Sequence, residues 1–375
     1  MARRDDLRQA AAAQADAMVA RLAELVLCES PTDEPVALAA CAELLARWGD
    51  EALGRPAERI LHDGVPHLLW AAPDPAVLLV GHFDTVWPLG TIDHWPMTVA
   101  DGVAYGPGVF DMKAGIVQLL VAVGLVADRS RVSVLLNSDE EIGSPGSRTY
   151  IEAEARRVGA VLVCEPAADG GNLKIARKGV GSYEVTVAGR AAHAGLEPEK
   201  GINAAVEAAH QVLGMGALAS ADGTSVTPTV LSAGTTVNTV PERAVLHVDV
   251  RAWTRDELTR VDRAMHGLRS HLPGAAVMVA GGISRYPLEP EVTLPVLAVA
   301  QEAARDIGLP VPDGVGVGGA SDGNLTGALG VPTLDGLGAL GAHPHARAER
   351  VDISAMPERA ALLAALVDRL SSWRS

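Results

Sequence analysis

Apolar positions recur at helical spacing over residues 6–28 and again over 35–48, and Ser30-Pro31-Thr32 breaks the chain between them. Leu68-Leu69-Trp70 and Val77-Leu78-Leu79-Val80 are unbroken apolar runs of strand length. Residues 112–126 are almost wholly apolar and predict a buried helix, and Val132 to Leu136 and Ala160 to Cys164 repeat the short apolar run. Strands that are apolar throughout and alternate with helices predict an α/β layer with a mostly parallel sheet covered on both faces.

The pattern changes near residue 178. Ser182-Tyr183-Glu184-Val185-Thr186-Val187 alternates polar and apolar, as a strand with one solvated face does. A helix from Asn203 to Leu213, strands at 226–231 and 245–250, a helix at 255–271 and a strand at 275–279 follow. Strand, helix, two strands, helix, strand predicts a small antiparallel α+β sandwich. After Arg285 and Pro287 the chain returns to a helix at 292–307 and short apolar strands, and a last helix starts near Ser354 with Pro357 in its first turn. The expected organisation is therefore a large domain, 1–178 and 288–375, interrupted by a smaller one at 179–287.

Bulk properties narrow the picture only a little. A length of 375 residues suits two domains, and 48% hydrophobic residues allow a large core. A net charge of -15 argues against nucleic acid as the main partner, because phosphate binding needs a basic footprint. Three cysteines (Cys28, Cys41, Cys164) without CxxC spacing suit a reducing compartment. Met1 to Arg21 lacks the apolar core of a signal peptide, and no apolar run is long enough to cross a bilayer. The expectation is a cytoplasmic protein with neither membrane nor nucleic-acid partner.

Candidate chemistry collects where the apolar runs end. Gly81-His82-Phe83-Asp84, Ser138-Asp139-Glu140-Glu141 and Cys164-Glu165-Pro166 each close a strand, and Gly108-Val109-Phe110-Asp111 opens the apolar helix. Hard and borderline metal ions take Asp, Glu and His ligands, and in α/β proteins ligands gather at the carboxyl ends of strands. His82 and Asp84, two apart in extended chain, face the same side, so one can bind a metal while the other orients the imidazole. Taken alone, Asp111 reads better as a helix N-cap. Glu140 and Glu141 diverge, so one can take a metal while the other reaches water, and Glu165 ends a strand too buried for an unpaired carboxylate. Of His343 and His345, either is a possible ligand. Gly314 to Gly319 lacks the acidic partner of a dinucleotide fingerprint, and Gly143-Ser144-Pro145-Gly146-Ser147 lacks the strand-to-helix context of a nucleophile elbow.

In order and in combination, Gly-His-Phe-Asp-Thr-Val-Trp-Pro (81–88), Gly-Pro-Gly-Val-Phe-Asp-Met-Lys-Ala-Gly (106–115), Asn-Ser-Asp-Glu-Glu-Ile-Gly-Ser (137–144), Cys-Glu-Pro (164–166) and Ala-Gly-Arg-Ala-Ala-His-Ala-Gly (188–195) resemble the M20 metallopeptidases, most closely the glutamate carboxypeptidase branch. The resemblance runs from about residue 75 to the C-terminus. It implies two zinc ions, or other divalent metals such as Co2+ or Mn2+. His82 and Glu165 would hold one and Glu141 and His345 the other, with Asp111 bridging both. It further implies Glu140 as general base, Asp84 orienting His82, and a cis peptide at Asp111-Met112. Spacing to Glu349 and Val351 selects His345 as the last ligand, whereas the preceding Gly-Ala pair selects His343; we take His345. The insertion would be a lid and dimerisation domain, and the protein would then be a homodimer. Within it His193 would stabilise the oxyanion, and Asn238 and Arg285, with Lys178 and Arg251 as weaker candidates, would bind the substrate's terminal carboxylate. The implied activity is zinc-dependent release of a C-terminal amino acid, glutamate, from a peptide or N-acyl amino acid. The alternatives are an N-acyl-amino-acid deacylase or dipeptidase with the same metals, and a catalytically silent dimer that binds a small acidic ligand.

Overall fold

A computed structural model of the chain describes residues 2–373, with side chains from residue 7 onward, so the expected outer limits at 1 and 374–375 lie outside the described residues. The chain divides into two compact units. One comprises residues 1–176, 290–316 and 321–375, and the other residues 177–289 together with the short segment 317–320.

The first unit is built on a six-stranded sheet in the order Glu58–His62, Val65–Trp70, Val132–Asn137, Val77–His82, Ala160–Val163, Thr333–Leu334. The last four strands run parallel, and the first two add an antiparallel edge. The parallel strands are buried throughout because helices cover both faces. Val77 and Leu79 face the core formed with helices Pro35–Leu53, Ala114–Leu125 and Met356–Leu370, while Leu78 and Val80 face a second core with helix Arg148–Ala155 and Leu325. Burying each such side chain contributes about 1.5–3 kcal/mol relative to leaving it in water.

Register then decides what meets at the strand ends. His82 pairs with Asn137, which starts the Glu140-Glu141 turn. Val80 pairs with Val163, so Glu165, two residues on, comes level with His82. The carboxyl ends of three parallel strands therefore deliver His82, Glu140-Glu141 and Glu165 to one edge.

Several elements differ from the periodicity. The helix expected over 6–28 is two helices, Ala2–Ala12 and Ala15–Leu27. Helix Pro35–Leu53 runs beyond residue 48 until Gly54, whose φ of 67° ends it. Strand Glu58–His62 has no readable pattern in the sequence because only Ile60 is buried in it. A four-stranded sheet of Thr98–Ala100, Val103–Tyr105, Arg350–Asp352 and Gly341–Ala342 also went unseen, since strands of two or three residues carry no readable period.

The expected helix at 112–126 begins later, at Ala114, after a wide turn over Val109–Lys113 in which the Asp111-Met112 peptide is cis. Asp111 is not an N-cap. Its φ and ψ of -114° and 97° lie outside the helix, so its side chain is free to point elsewhere. Lys113, fully buried, donates from Nζ to the carbonyls of Leu25 and Cys28 at 2.9 Å each, which fastens this turn to the end of helix Ala15–Leu27.

The second unit is a four-stranded antiparallel sheet in the order Ser225–Ala233, Arg243–Ala252, Gly179–Ala188, Ala276–Arg285, with helices Ala204–Gly216 and Arg255–His266. Tyr183, Val185 and Val187 alternate inward, as do Val248, Leu246 and Ala244 opposite them. No helix among the described residues is long and apolar enough to cross a membrane.

Candidate metal centre

His82 closes its strand with only 1% of its side chain exposed. Its Nδ1 faces Asp84, 3.3 Å from Oδ1 and 3.1 Å from the backbone oxygen. Its Nε2 faces the other way, 3.2 Å from Asp111 Oδ1 and 3.4 Å from Glu165 Oε1. His345 mirrors it, with Nε2 3.4 Å from Asp111 Oδ2 and 3.2 Å from Glu141 Oε2. Each oxygen of Asp111 thus addresses a different imidazole, one grouped with Glu165 and the other with Glu141. Glu140 lies with His82 and Glu165, one potential ligand atom from each within 4.8 Å of the others. His343 is exposed at φ 62°, and it is His345 that the loop turns toward the carboxylates.

The electrostatics show what this cluster calls for. Burial opposes charge on His82, yet hydrogen bonds with Asp111, Asp84 and Glu165 outweigh it and raise its pKa well above the usual histidine range. Hydrogen bonds with Asp111 and Glu141 push His345 up to about 10. Burial would raise Asp111, but His345 and His82 overcome it and hold the carboxyl far below its ordinary range. Glu141, by contrast, is raised mainly by burial, and its Oε1 is buried with no hydrogen-bond partner. Carboxylates outnumber imidazoles in a largely desolvated space, and one oxygen is orphaned. Cations between Nε2 of each histidine and the carboxylates would satisfy both demands.

The supporting residues explain why the ligand atoms converge. Asp84 orients His82 and also accepts from the backbone N–H of Glu140 at 3.3 Å, the N–H of Glu141 at 3.2 Å and Thr32 Oγ1 at 2.9 Å. Asp139, read in the sequence as part of an acidic turn, accepts from Gly146 N, Ser147 N and Ser147 Oγ and so shapes the turn. Asp322 accepts from Asn137 Nδ2 and Ser144 Oγ, both at 2.5 Å, beneath the same turn. Gly108, at φ 68°, has Thr85 so close that a Cβ would lie 2.7 Å from Thr85 Cγ2, so only glycine lets the start of the Asp111 turn pack against Thr85. Glu349, in the sequence only a spacing mark after His345, has a structural role. It is fully buried and accepts from Gly108 N, Phe110 N, Asp111 N and Trp87 Nε1 at 2.8–3.1 Å.

The remaining expected site residues lie in the second unit. His193 pairs with Thr239 in a two-stranded ribbon and is exposed. Its Nδ1 accepts from Gly195 N and Leu196 N, both at 3.1 Å, so the neutral ring carries its proton on Nε2. The Asn238 carbonyl accepts from Ala194 N, which brings Asn238 onto the same ribbon. Arg251 and Arg285 both pair with Val180, one on each side of it, and so share one row of the sheet. Arg285 is buried, whereas Arg251 is half-exposed and salt-bridged to Asp249 at 2.9 Å. Lys178 donates to Gly223 O at 2.5 Å and sits 5.1 Å above Trp253.

Comparison with known proteins matches residues 78–369 to the peptidase family M20/M25/M40. The chain belongs to that family. It is 32% identical to carboxypeptidase G2 of Pseudomonas sp. (strain RS-16), over 98% of this chain and 92% of that protein. It is 28% identical to succinyl-diaminopimelate desuccinylase 2 of Shewanella loihica, over 85% and 92%. The fold matches the crystal structure of aminopeptidase PepT from Bacillus cereus with a TM-score of 0.74 at 21% identity, over 96% and 99% of the two chains. This M20 chain is accordingly a metal-dependent peptidase or amidohydrolase. Of the motifs quoted above on their resemblance to this family, those at 81–88, 106–115, 137–144 and 164–166 fall within or beside the cluster, and the one at 188–195 lies in the second unit.

Proposed function

We propose that this M20 enzyme releases a C-terminal glutamate from a peptide or N-acyl amino acid by two-zinc amide hydrolysis. The observation that carries the metal reading is Asp111, with Oδ1 toward His82 and Oδ2 toward His345. On this reading His82 and Glu165 would hold one cation and Glu141 and His345 the other, with Asp111 contributing to both. When bound, the two cations would supply Lewis acidity and lower the pKa of an attacking water towards about 7.

The chain's own residues do the rest. Asp84 keeps the His82 proton on Nδ1, which leaves Nε2 as a lone-pair donor. Glu140 takes a proton from the attacking water and delivers it to the leaving amine. His193, with its proton on Nε2, donates to the developing oxyanion. Arg285 is assigned the leaving amino acid's carboxylate, with Asn238, Arg251 and Lys178 in support. Arg251 and Arg285 on one row of the sheet suit a carboxylate-bearing ligand. Lys178 is engaged with Gly223 and Trp253, which weighs against it as a carboxylate ligand.

Glutamate rests on the similarity to carboxypeptidase G2. Similarity to a desuccinylase supports a second reading, removal of an acyl group from an amino acid by the same residues. A homodimer through the second unit is part of the proposal, supported by its edge strand Ser225–Ala233, where Val230 and Leu231 are exposed.

Amino-acid release by the zinc-loaded protein, with and without chelator, tests this. The substrates would be N-acyl amino acids and dipeptides that differ in the C-terminal residue. Chelator-sensitive release that favours glutamate is expected. Preference for another residue discards the specificity, and preference for the acyl group irrespective of the amino acid favours the deacylase.

A further inference from the structure

Glu349 sits four residues after His345, and its carboxylate lies under the turn that carries Asp111. Oε1 accepts from Phe110 N at 2.8 Å and Asp111 N at 3.1 Å, while Oε2 accepts from Gly108 N and Trp87 Nε1 at 3.0 Å each. The turn needs such an acceptor. Asp111 and Met112 have non-helical dihedrals, so these N–H groups cannot all be paired as they would be in a regular helix. A carboxylate offers about four lone-pair sites on two oxygens, and here four donors meet them. Glu349 is also part of the loop that carries His345, since its own N–H donates to Ala346 O at 2.8 Å. One side chain therefore joins the loop of His345 to the turn of Asp111.

We propose that Glu349 is a positioning residue that sets the distance between Asp111 and His345 and thereby the affinity of the cation position formed by Asp111 Oδ2, Glu141 and His345. The proposal rests on the two-cation reading above. The two positions do not depend on Glu349 equally. At the His82–Glu165 position, His82 and Glu165 follow sheet strands directly, and Asp84 and Thr32 brace His82 without Glu349. At the other position Glu349 reaches both Asp111, which serves the two positions alike, and the loop of the half-exposed His345.

A glutamine at 349 keeps the shape but offers one acceptor oxygen and turns an NH2 toward N–H donors. At least one pair of N–H groups then loses its acceptor, and the turn and the loop come apart. The test is zinc binding by metal-free wild type and Glu349→Gln in metal-buffered dialysis, with tryptophan fluorescence as a report on Trp87. Wild type is expected to bind two ions. Glu349→Gln is expected to keep the first ion with little change and to lose affinity for the second by about 10–100-fold, the usual cost of removing a supporting partner. If that variant does not fold, Glu349→Asp, which keeps both oxygens but shortens their reach, is expected to show the same one-sided loss to a smaller degree. Two ions bound with wild-type affinity, or equal loss at both positions, in whichever variant folds would overturn the proposal while leaving the two-zinc reading intact. A wild type that binds fewer than two ions would overturn both.

Discussion

At the scale of single residues, the separation of roles among neighbouring carboxylates rests on where each one points. Glu141 meets His345, and Glu140 falls with His82 and Glu165, although the two glutamates are adjacent in the chain. As the assigned proton carrier, Glu140 should be separable from metal binding. Glu140→Gln is expected to retain both ions by metal analysis and to lose about 10²–10⁴-fold or more in kcat. Turnover near wild type would remove Glu140 from the chemistry. The same logic separates two histidines two residues apart. His345→Ala is expected to bind one zinc ion where wild type binds two, and His343→Ala, altered at an exposed position, to bind both. Equal metal content in the two variants would contradict the assignment.

At the scale of elements, the centre depends on close approach between backbones. Helix Ala114–Leu125 passes so near the end of strand Ala160–Val163 that a Cβ on Gly115 would lie 2.3 Å from the Cys164 carbonyl, immediately before Glu165. Gly115→Ala must push helix and strand end apart. The expected cost is about 1–3 kcal/mol of stability, read from denaturant midpoints, with weaker zinc binding at the Glu165 position. Unchanged stability would mean that the helix can shift freely. In the second unit, Glu207 is buried on helix Ala204–Gly216 and accepts from Gln211 Nε2, His271 N and Leu272 N. Burial pushes its pKa up, but these hydrogen bonds, chiefly that of Gln211, bring it below the ordinary value. A depressed carboxylate stabilises the fold above its unfolded pKa, about 4.3, and that contribution is lost as pH falls through the folded value. Thermal melts between pH 3 and 6 should therefore show less acid sensitivity in Glu207→Gln than in wild type. Parallel curves would show that Glu207 contributes none of the pH dependence.

At the scale of the whole molecule, the metal cluster is a concentration of negative charge in a chain whose net charge is already -15. Asp84, Asp111, Glu141 and Glu165 meet beside two imidazoles, so cations that bind the folded cluster and not the unfolded chain stabilise by mass action. Chelation is expected to lower Tm, and each ion restored at 100 times its Kd is expected to return about 2.7 kcal/mol. A Tm indifferent to chelator would argue that the cluster is held together without cations.

Periodicity alone was enough to indicate an α/β layer, a change of style near residue 178 and apolar strands with acidic or histidine-bearing ends, because burial on both faces or on one writes itself directly into the order of side chains. His82, Glu140-Glu141 and Glu165 were legible for that reason: each follows an apolar run that has to be a buried strand. Asp111 was not. Read alone it looked like a helix cap, and only the non-helical turn at Asp111-Met112, which no periodicity encodes, aims its two oxygens at two histidines. Glu349 was invisible for a related reason. Its partners are backbone N–H groups some 240 residues earlier in the chain, and backbone groups are the same in every sequence. The choice between His343 and His345 likewise depends on which imidazole reaches the carboxylates in the folded loop, since the two share nearly the same backbone φ. Residue order determined which segments are buried and which chemical groups stand at their ends. Register, turn geometry and long-range hydrogen bonds decided which of those groups meet, because contact between residues distant in sequence is a property of the folded chain and not of any local stretch of it.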